Sequence, residues 1–220
     1  MHVMITSRCN MRCAHCGMSC TTKGEDMTLE TFMAALQHDD TISLGGGEPT
    51  LHPLFWHFLG LAIGTADSVW LATNGSQTQT AIALARMARK GVIGCALSQD
   101  IYHDPIDPKV IDAFTPKKTR PDEWLPADRN QDYREIRNVT GREIKAGRCK
   151  TGEIECICPE VYVRPNGDVH LCGCARSPKI GDVFKGYEIP ERENGEWYQC
   201  VLEMRKDRRR IKTKGEPVAA

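Results

Sequence analysis

The chain of 220 residues carries no net charge, since 29 lysines and arginines balance 29 aspartates and glutamates. A neutral chain has no global field to draw it onto nucleic acid or a membrane surface. It also lacks a long apolar run. Its start, Met1-His2-Val3-Met4-Ile5-Thr6, holds no apolar stretch of the length a signal peptide or a transmembrane helix needs. A cytoplasmic protein is expected. There is no internal repeat and no long low-complexity segment, which speaks against a solenoid or a disordered scaffold. The length is enough to bury a core, as one domain with an appendage.

Cysteine is what the chain has in excess. There are eleven, and in a reducing compartment clustered cysteines point to metal rather than to disulfides. Cys95 stands alone in an apolar run and reads as core, where free cysteine is common. Cys9, Cys13 and Cys16 follow the pattern C-x3-C-x2-C. Three soft thiolates so close can hold three irons of a cubane [4Fe–4S] cluster. The fourth iron then has no ligand from the motif and is open to a substrate or cofactor. The alternative is a structural zinc, which wants four ligands, with His15 or Cys20 as the fourth.

Apolar runs alternate with helical patterns. Strands are expected at Val3–Thr6, Thr41–Leu44, Ser68–Ala72 and Val92–Leu97. A helix capped by Thr28 follows the first, with Leu29, Phe32, Met33 and Leu36 at helical spacing. Pro53 suits the start of a second, over Leu54–Ile63 with Gly64 as its stop. Gln77–Lys90 reads as a third, with Arg86, Arg89 and Lys90 at its negative end and Gly91 after it. Such alternation implies a parallel sheet with right-handed crossovers. Parallel α/β folds keep their chemistry at the carboxyl ends of strands, and each motif below falls just after a strand.

The cysteine spacing resembles the signature of the radical S-adenosylmethionine (SAM) superfamily. Three further motifs stand in that family's order: Gly45-Gly46-Gly47-Glu48-Pro49-Thr50, then Thr73-Asn74-Gly75, then Ser98-Gln99-Asp100. The resemblance covers residues 3–115 well and 140–185 more loosely. It implies an α/β fold, an open, partial (β/α)6 barrel over residues 1–145, with a small cysteine-rich extension over 146–220. It implies that Cys9, Cys13 and Cys16 hold the cluster and that His15 lies near the SAM adenine. Gly46, Gly47 and Glu48 would hold the SAM amino group, Glu48 accepting from the ammonium. Thr73, Asn74, Ser98 and Asp100 would meet its ribose or carboxylate. Gly147-Arg148 resembles a glycine-arginine motif whose arginine approaches SAM. His103, just past Asp100, is a candidate acid or base toward substrate, or a turn histidine before Pro105.

Residues 115–145 lose the rhythm and read as a linker or substrate-facing loop. Beyond them Cys149, Cys156, Cys158, Cys172 and Cys174 lie within 26 residues. Between them Glu160–Arg164 and Val169–Leu171 flank Asn166-Gly167, a hairpin signal. This region resembles the SPASM or twitch domains that bind auxiliary clusters, although its C-x-C spacings depart from theirs. One auxiliary site is expected, a second [4Fe–4S] cluster or a zinc, with Cys200 as a further candidate. The run Arg205–Arg210 is a basic tail, a solvated terminus or a phosphate-binding segment.

The expected activity is reductive cleavage of SAM and hydrogen abstraction from a substrate, a peptide or protein side chain. Alternatives are modification of a nucleoside or small metabolite, activation of a glycyl-radical partner, or a non-enzymatic zinc module. Expected partners are a reductant protein such as a flavodoxin or ferredoxin and the substrate, with nucleic acid and membrane not among them.

Overall fold

The computed structural model describes residues 1–116, 132–140, 147–150, 160–175 and 177–190, with the backbone of 192–193 and 196–197. The chain is α/β with a mixed sheet. Strands β1 (His2–Thr6), β2 (Thr41–Gly46), β3 (Ser68–Thr73), β4 (Gly94–Ser98) and β5 (Arg134–Arg137) run parallel, each beside its predecessor. Helices α1 (Leu29–Ala35), α2 (Phe55–Thr65), α3 (Thr78–Arg89) and α4 (Pro108–Phe114) supply the crossovers. The next strand, β6 (Tyr162–Val163), does not extend the β5 edge. It pairs with β1, again parallel, so the sheet reads β5-β4-β3-β2-β1-β6-β7-β8-β9. Strands β7 (Asp168–His170), β8 (Lys179–Asp182) and β9 (Gly186–Tyr187) then add on antiparallel. A separate ribbon joins β10 (Arg192–Glu193) to β11 (Glu196–Trp197). Among the described residues no helix is long and apolar enough to cross a membrane.

Local chemistry accounts for most of these elements. Thr28 caps α1, its Oγ1 accepting from the Thr31 N–H at 3.1 Å. The helix buries Phe32 and Ala35, and the Phe32 ring stacks on Phe58 of α2 at 4.2 Å. Leu29 and Met33, which share the helical spacing of Phe32, are each 39 % exposed. Gly64, expected to stop α2, lies inside it, and the helix runs on to Thr65. Asp107 caps α4 from its side chain and Pro108 fills the first turn. The hairpin at Asn166-Gly167 forms as expected, with Gly167 at φ +87°. Val161, Val163, Val169 and Leu171 are buried in the same apolar cluster as Leu44 and Leu71. The late strands therefore share the core of the parallel sheet.

β5 corrects the sequence reading. Its residues, Arg134-Glu135-Ile136-Arg137, form the fifth parallel strand inside the stretch expected to be a linker. An edge strand exposed along most of its length needs no apolar run, so nothing in its composition announced it. Cys156, Cys158, Cys200 and the basic run 205–210 lie outside the described residues.

Candidate functional site

The carboxyl ends of β1 to β4 meet around a cavity of about 250 Å3. Cys9, Cys13 and Cys16 form part of its wall, with the backbone of Gly45–Glu48 and with Thr73, Asn74, Ser98 and His103. His15 and Arg148 line it too. Motifs spread over some ninety residues of chain thus converge on one space, as their positions after strands require.

The cysteines sit on a long excursion after β1 that is closed on itself. The Cys9 N–H donates to the Thr21 carbonyl at 2.8 Å, and the Met27 N–H returns to the Ile5 carbonyl at 2.8 Å. Arg8 pins its entrance, donating from Nε to Asp26 Oδ1 at 2.9 Å and from Nη2 to the Leu51 carbonyl at 2.7 Å. The glycine run of β2 makes room for this loop. A Cβ on Gly46 would stand 2.4 Å from the Thr6 carbonyl oxygen. One on Gly47 would stand 2.3 Å from the Arg8 oxygen and 2.8 Å from the Cys9 Cβ. The N–H groups of Gly47 and Glu48 donate to the Thr6 and Arg8 carbonyls, both at 2.8 Å. The glycines admit the cysteine loop.

The thiols are unequal. Burial raises the pKa of Cys9 and that of Cys13, the latter to about 11. Cys16 is lowered instead, chiefly by a hydrogen bond from Cys20, whose own value rises as the donor of that bond. Cys16 and Cys20 thus share one hydrogen bond. Among the described residues, His15, Asp100 and His103 form a group of three whose donor atoms all lie within 4.8 Å of one another. Three thiols on one wall of the cavity are a soft donor set that suits an iron–sulfur cluster.

Glu48 is 1 % exposed and its carboxylate is engaged within the chain. Its Oε1 accepts from Thr50 Oγ1 at 2.6 Å, Thr73 Oγ1 at 2.8 Å and the Thr50 N–H at 3.3 Å. Its Oε2 accepts from the Asn74 N–H at 2.7 Å. Burial outweighs these bonds and raises its pKa. Asn74 in turn donates from Nδ2 to Asn10 Oδ1 at 3.0 Å, with Cys9 Sγ at 4.0 Å. Ser98 contributes to the wall.

Asp100 turns toward histidines. Its Oδ1 is 2.7 Å from His103 Nδ1 and accepts from the Tyr102 N–H at 2.9 Å, and its Oδ2 is 3.9 Å from His15 Nε2. Burial raises its pKa, but these bonds and the imidazoles more than offset it, and the net shift is downward. The His15 ring lies 4.7 Å from Tyr102 and 5.2 Å from His103. Arg148 reaches the cysteine loop through backbone carbonyls. Of the late cysteines, Cys149, Cys172 and Cys174 are buried.

Sequence reasoning missed the cavity's other wall. His2 stacks on Tyr162 at 4.3 Å, and both line the space. Burial, with the terminal ammonium and Arg137 nearby, lowers the His2 pKa to about 3, so the ring is neutral. A Cβ on Gly45 would stand 1.9 Å from its Nε2. The two rings meet because β6 pairs with β1 in the register His2 to Tyr162. No local signal joins residues so far apart in the chain.

No family model matches the chain. Over 103 residues it is 30 % identical to the mycofactocin maturase MftC of Mycobacterium ulcerans (strain Agy99), covering 44 % of this chain and 27 % of that protein. It is 29 % identical over 103 residues to the mycofactocin maturase MftC of Mycobacterium tuberculosis, from strain CDC 1551 / Oshkosh and from strain ATCC 25618 / H37Rv, covering 44 % of this chain and 26 % of each. The match thus spans about a quarter of the length of these curated relatives. The likeness supports an enzyme and agrees with the radical SAM resemblance that the motifs carry.

Proposed function

We propose that this chain is a radical SAM enzyme built on a partial (β/α)6 barrel, acting on a peptide or protein side chain. The observation that carries the reading is convergence: the cysteine loop, the glycine-rich end of β2, Thr73-Asn74 and Ser98 share one cavity. Its volume, about 250 Å3, is near the lower end of the range for small-ligand sites, about 300 Å3 and upward. The peptide as substrate is favoured by the likeness to proteins named maturases.

Cys9, Cys13 and Cys16 would hold a [4Fe–4S] cluster, and the SAM amino group would lie against Gly46, Gly47 and Glu48. When bound, cluster and SAM together supply one-electron cleavage of the sulfonium to methionine and a 5′-deoxyadenosyl radical able to take hydrogen from an unactivated carbon. The chain's own groups prepare the site. Glu48 would accept from the ammonium, whose positive charge would offset the burial penalty on the carboxylate. Thr73, Asn74 and Ser98 offer polar groups for ribose or carboxylate. Asp100 orients His103, leaving His103 Nε2 as the nitrogen for substrate, and His15 lies where the adenine would stack. A flavodoxin or ferredoxin would deliver the electron.

Metal content tests this reading. Reconstituted anaerobically, the wild type should carry the broad brown absorption of iron–sulfur charge transfer. Replacing Cys9, Cys13 and Cys16 together by alanine should remove about four irons per chain. Unchanged iron in that variant would overturn the assignment. Iron and sulfide that remain there would report an auxiliary site among Cys149, Cys156, Cys158, Cys172 and Cys174, whereas one zinc without sulfide would make that site structural.

A further inference from the structure

Arg148 lies 135 residues beyond Cys13, yet its hydrogen bonds are made to the cysteine loop. Its backbone N–H donates to the Cys16 carbonyl at 2.9 Å. Its Nε donates to the Cys13 carbonyl at 3.3 Å and its Nη1 to the Cys20 carbonyl at 2.5 Å. One residue thus ties three carbonyls of a short loop, two of them through the rigid fork of a guanidinium. Gly147 permits the approach. It sits at φ +56°, and a Cβ there would stand 2.3 Å from the Gly17 oxygen and 2.6 Å from the Cys16 oxygen. A second late segment reinforces the contact, the Ala175 N–H donating to the Gly17 carbonyl at 3.2 Å.

We infer that Gly147-Arg148 is a clamp on the cluster-binding loop, and that the guanidinium it fixes there raises the reduction potential of the cluster. The inference rests on the radical SAM reading and deepens it. The resembled motif aims its arginine at SAM; here Nε and Nη1 bond to the loop while the residue also lines the cavity. The guanidinium carries a full positive charge, which a glutamine in its place would lack. Reduction adds an electron to the cluster, so a fixed positive charge beside its ligands favours the reduced form. In a partly buried site water screens that effect poorly. Arg148 is a positioning residue: it touches the carbonyls of the loop, and acts on the cluster through them and through its field. The cysteine motif near the chain start is therefore completed by residues on the far side of the β5 strand.

The test uses the full chain, reconstituted anaerobically, as wild type, Arg148→Lys, Arg148→Gln and Gly147→Ala. Two quantities are read: the cluster's midpoint potential by a redox titration followed by electron paramagnetic resonance, and the time for a chelator to strip the iron. Arg148→Gln should make the potential more negative by about a tenfold change in the one-electron equilibrium, 59 mV. Arg148→Lys should keep nearly the wild-type potential, because the charge stays, but lose iron several-fold faster, because an ammonium cannot span the carbonyls. Gly147→Ala should also lose iron faster, by displacing the loop with the charge retained. Wild-type potential and wild-type retention in Arg148→Gln would overturn the clamp. A potential lowered equally in Arg148→Lys and Arg148→Gln would remove the electrostatic half. A wild type that takes up no cluster under these conditions would instead contradict the radical SAM reading itself.

Discussion

Four donors converge on the Glu48 carboxylate: the N–H and Oγ1 of Thr50, Thr73 Oγ1 and the Asn74 N–H. They tie the end of β2 to the end of β3, so Glu48 braces the cavity wall whatever it does for a ligand. Glu48→Ala would leave several of these donors buried without an acceptor, at about 1–3 kcal/mol each. A loss of stability in that range should accompany weaker SAM binding, and urea unfolding of the metal-free chain would measure it. The pH dependence has a definite sign. Burial raises the Glu48 pKa above its ordinary value of 4.5. The folded state therefore favours the protonated acid, and that contribution is full below about pH 4.5 and fades as pH rises through the raised value. The stability of wild type relative to Glu48→Gln should fall across that interval, and a difference that stays flat would contradict the assignment. Glu48, Thr73 and Asn74 were each legible as site residues from their motifs. That they bond to one another was not, since only the register of β2 against β3 brings them together.

Elements were legible where they carry a cap, a period or a turn residue. Thr28 announced α1, the cationic end announced α3, and Asn166-Gly167 announced the hairpin. The faces were harder. Leu29 and Met33 fit a helical stripe, yet α1 turns Thr31, Phe32 and Ala35 inward. A helix of seven residues makes barely two turns, so its sequence alone leaves the buried arc loosely defined. β5 was silent because an exposed edge strand has no apolar alternation to read. The glycines divide in a way only the structure reveals. Gly60 lies within α2 with nothing within 4 Å of a Cβ built on it, whereas Gly47 abuts Arg8 and Cys9. Gly60→Ala should therefore stabilise the chain by about 0.5–1 kcal/mol. Gly47→Ala should destabilise it and lower its iron content by shifting Cys9. Thermal unfolding and iron analysis of the two variants side by side check the contrast, and equal effects from both would contradict it.

At the scale of the whole molecule, the chain returns to its own beginning. After β5 it crosses to the other edge of the parallel strands and lays β6 beside β1. That return puts Tyr162 on His2 and carries four apolar residues of the hairpin into the main core. The gathering of motifs on one rim could be read from the strand rhythm, because parallel sheets place successive strand ends on one side. The return could not, since it depends on which edge the last parallel strand selects, and two residues of strand carry no such instruction. The cavity that results is bounded by His2 of β1 and by Arg148 and Tyr162 from beyond β5, as well as by the central motifs. Its proposed chemistry has a direct assay: release of 5′-deoxyadenosine from SAM by the anaerobically reconstituted chain in the presence of a strong reductant. The account predicts release by the wild type, dependent on the reductant, and none by the variant lacking Cys9, Cys13 and Cys16. A wild type loaded with cluster that binds SAM and releases no 5′-deoxyadenosine, or equal release by the cysteine variant, would contradict it.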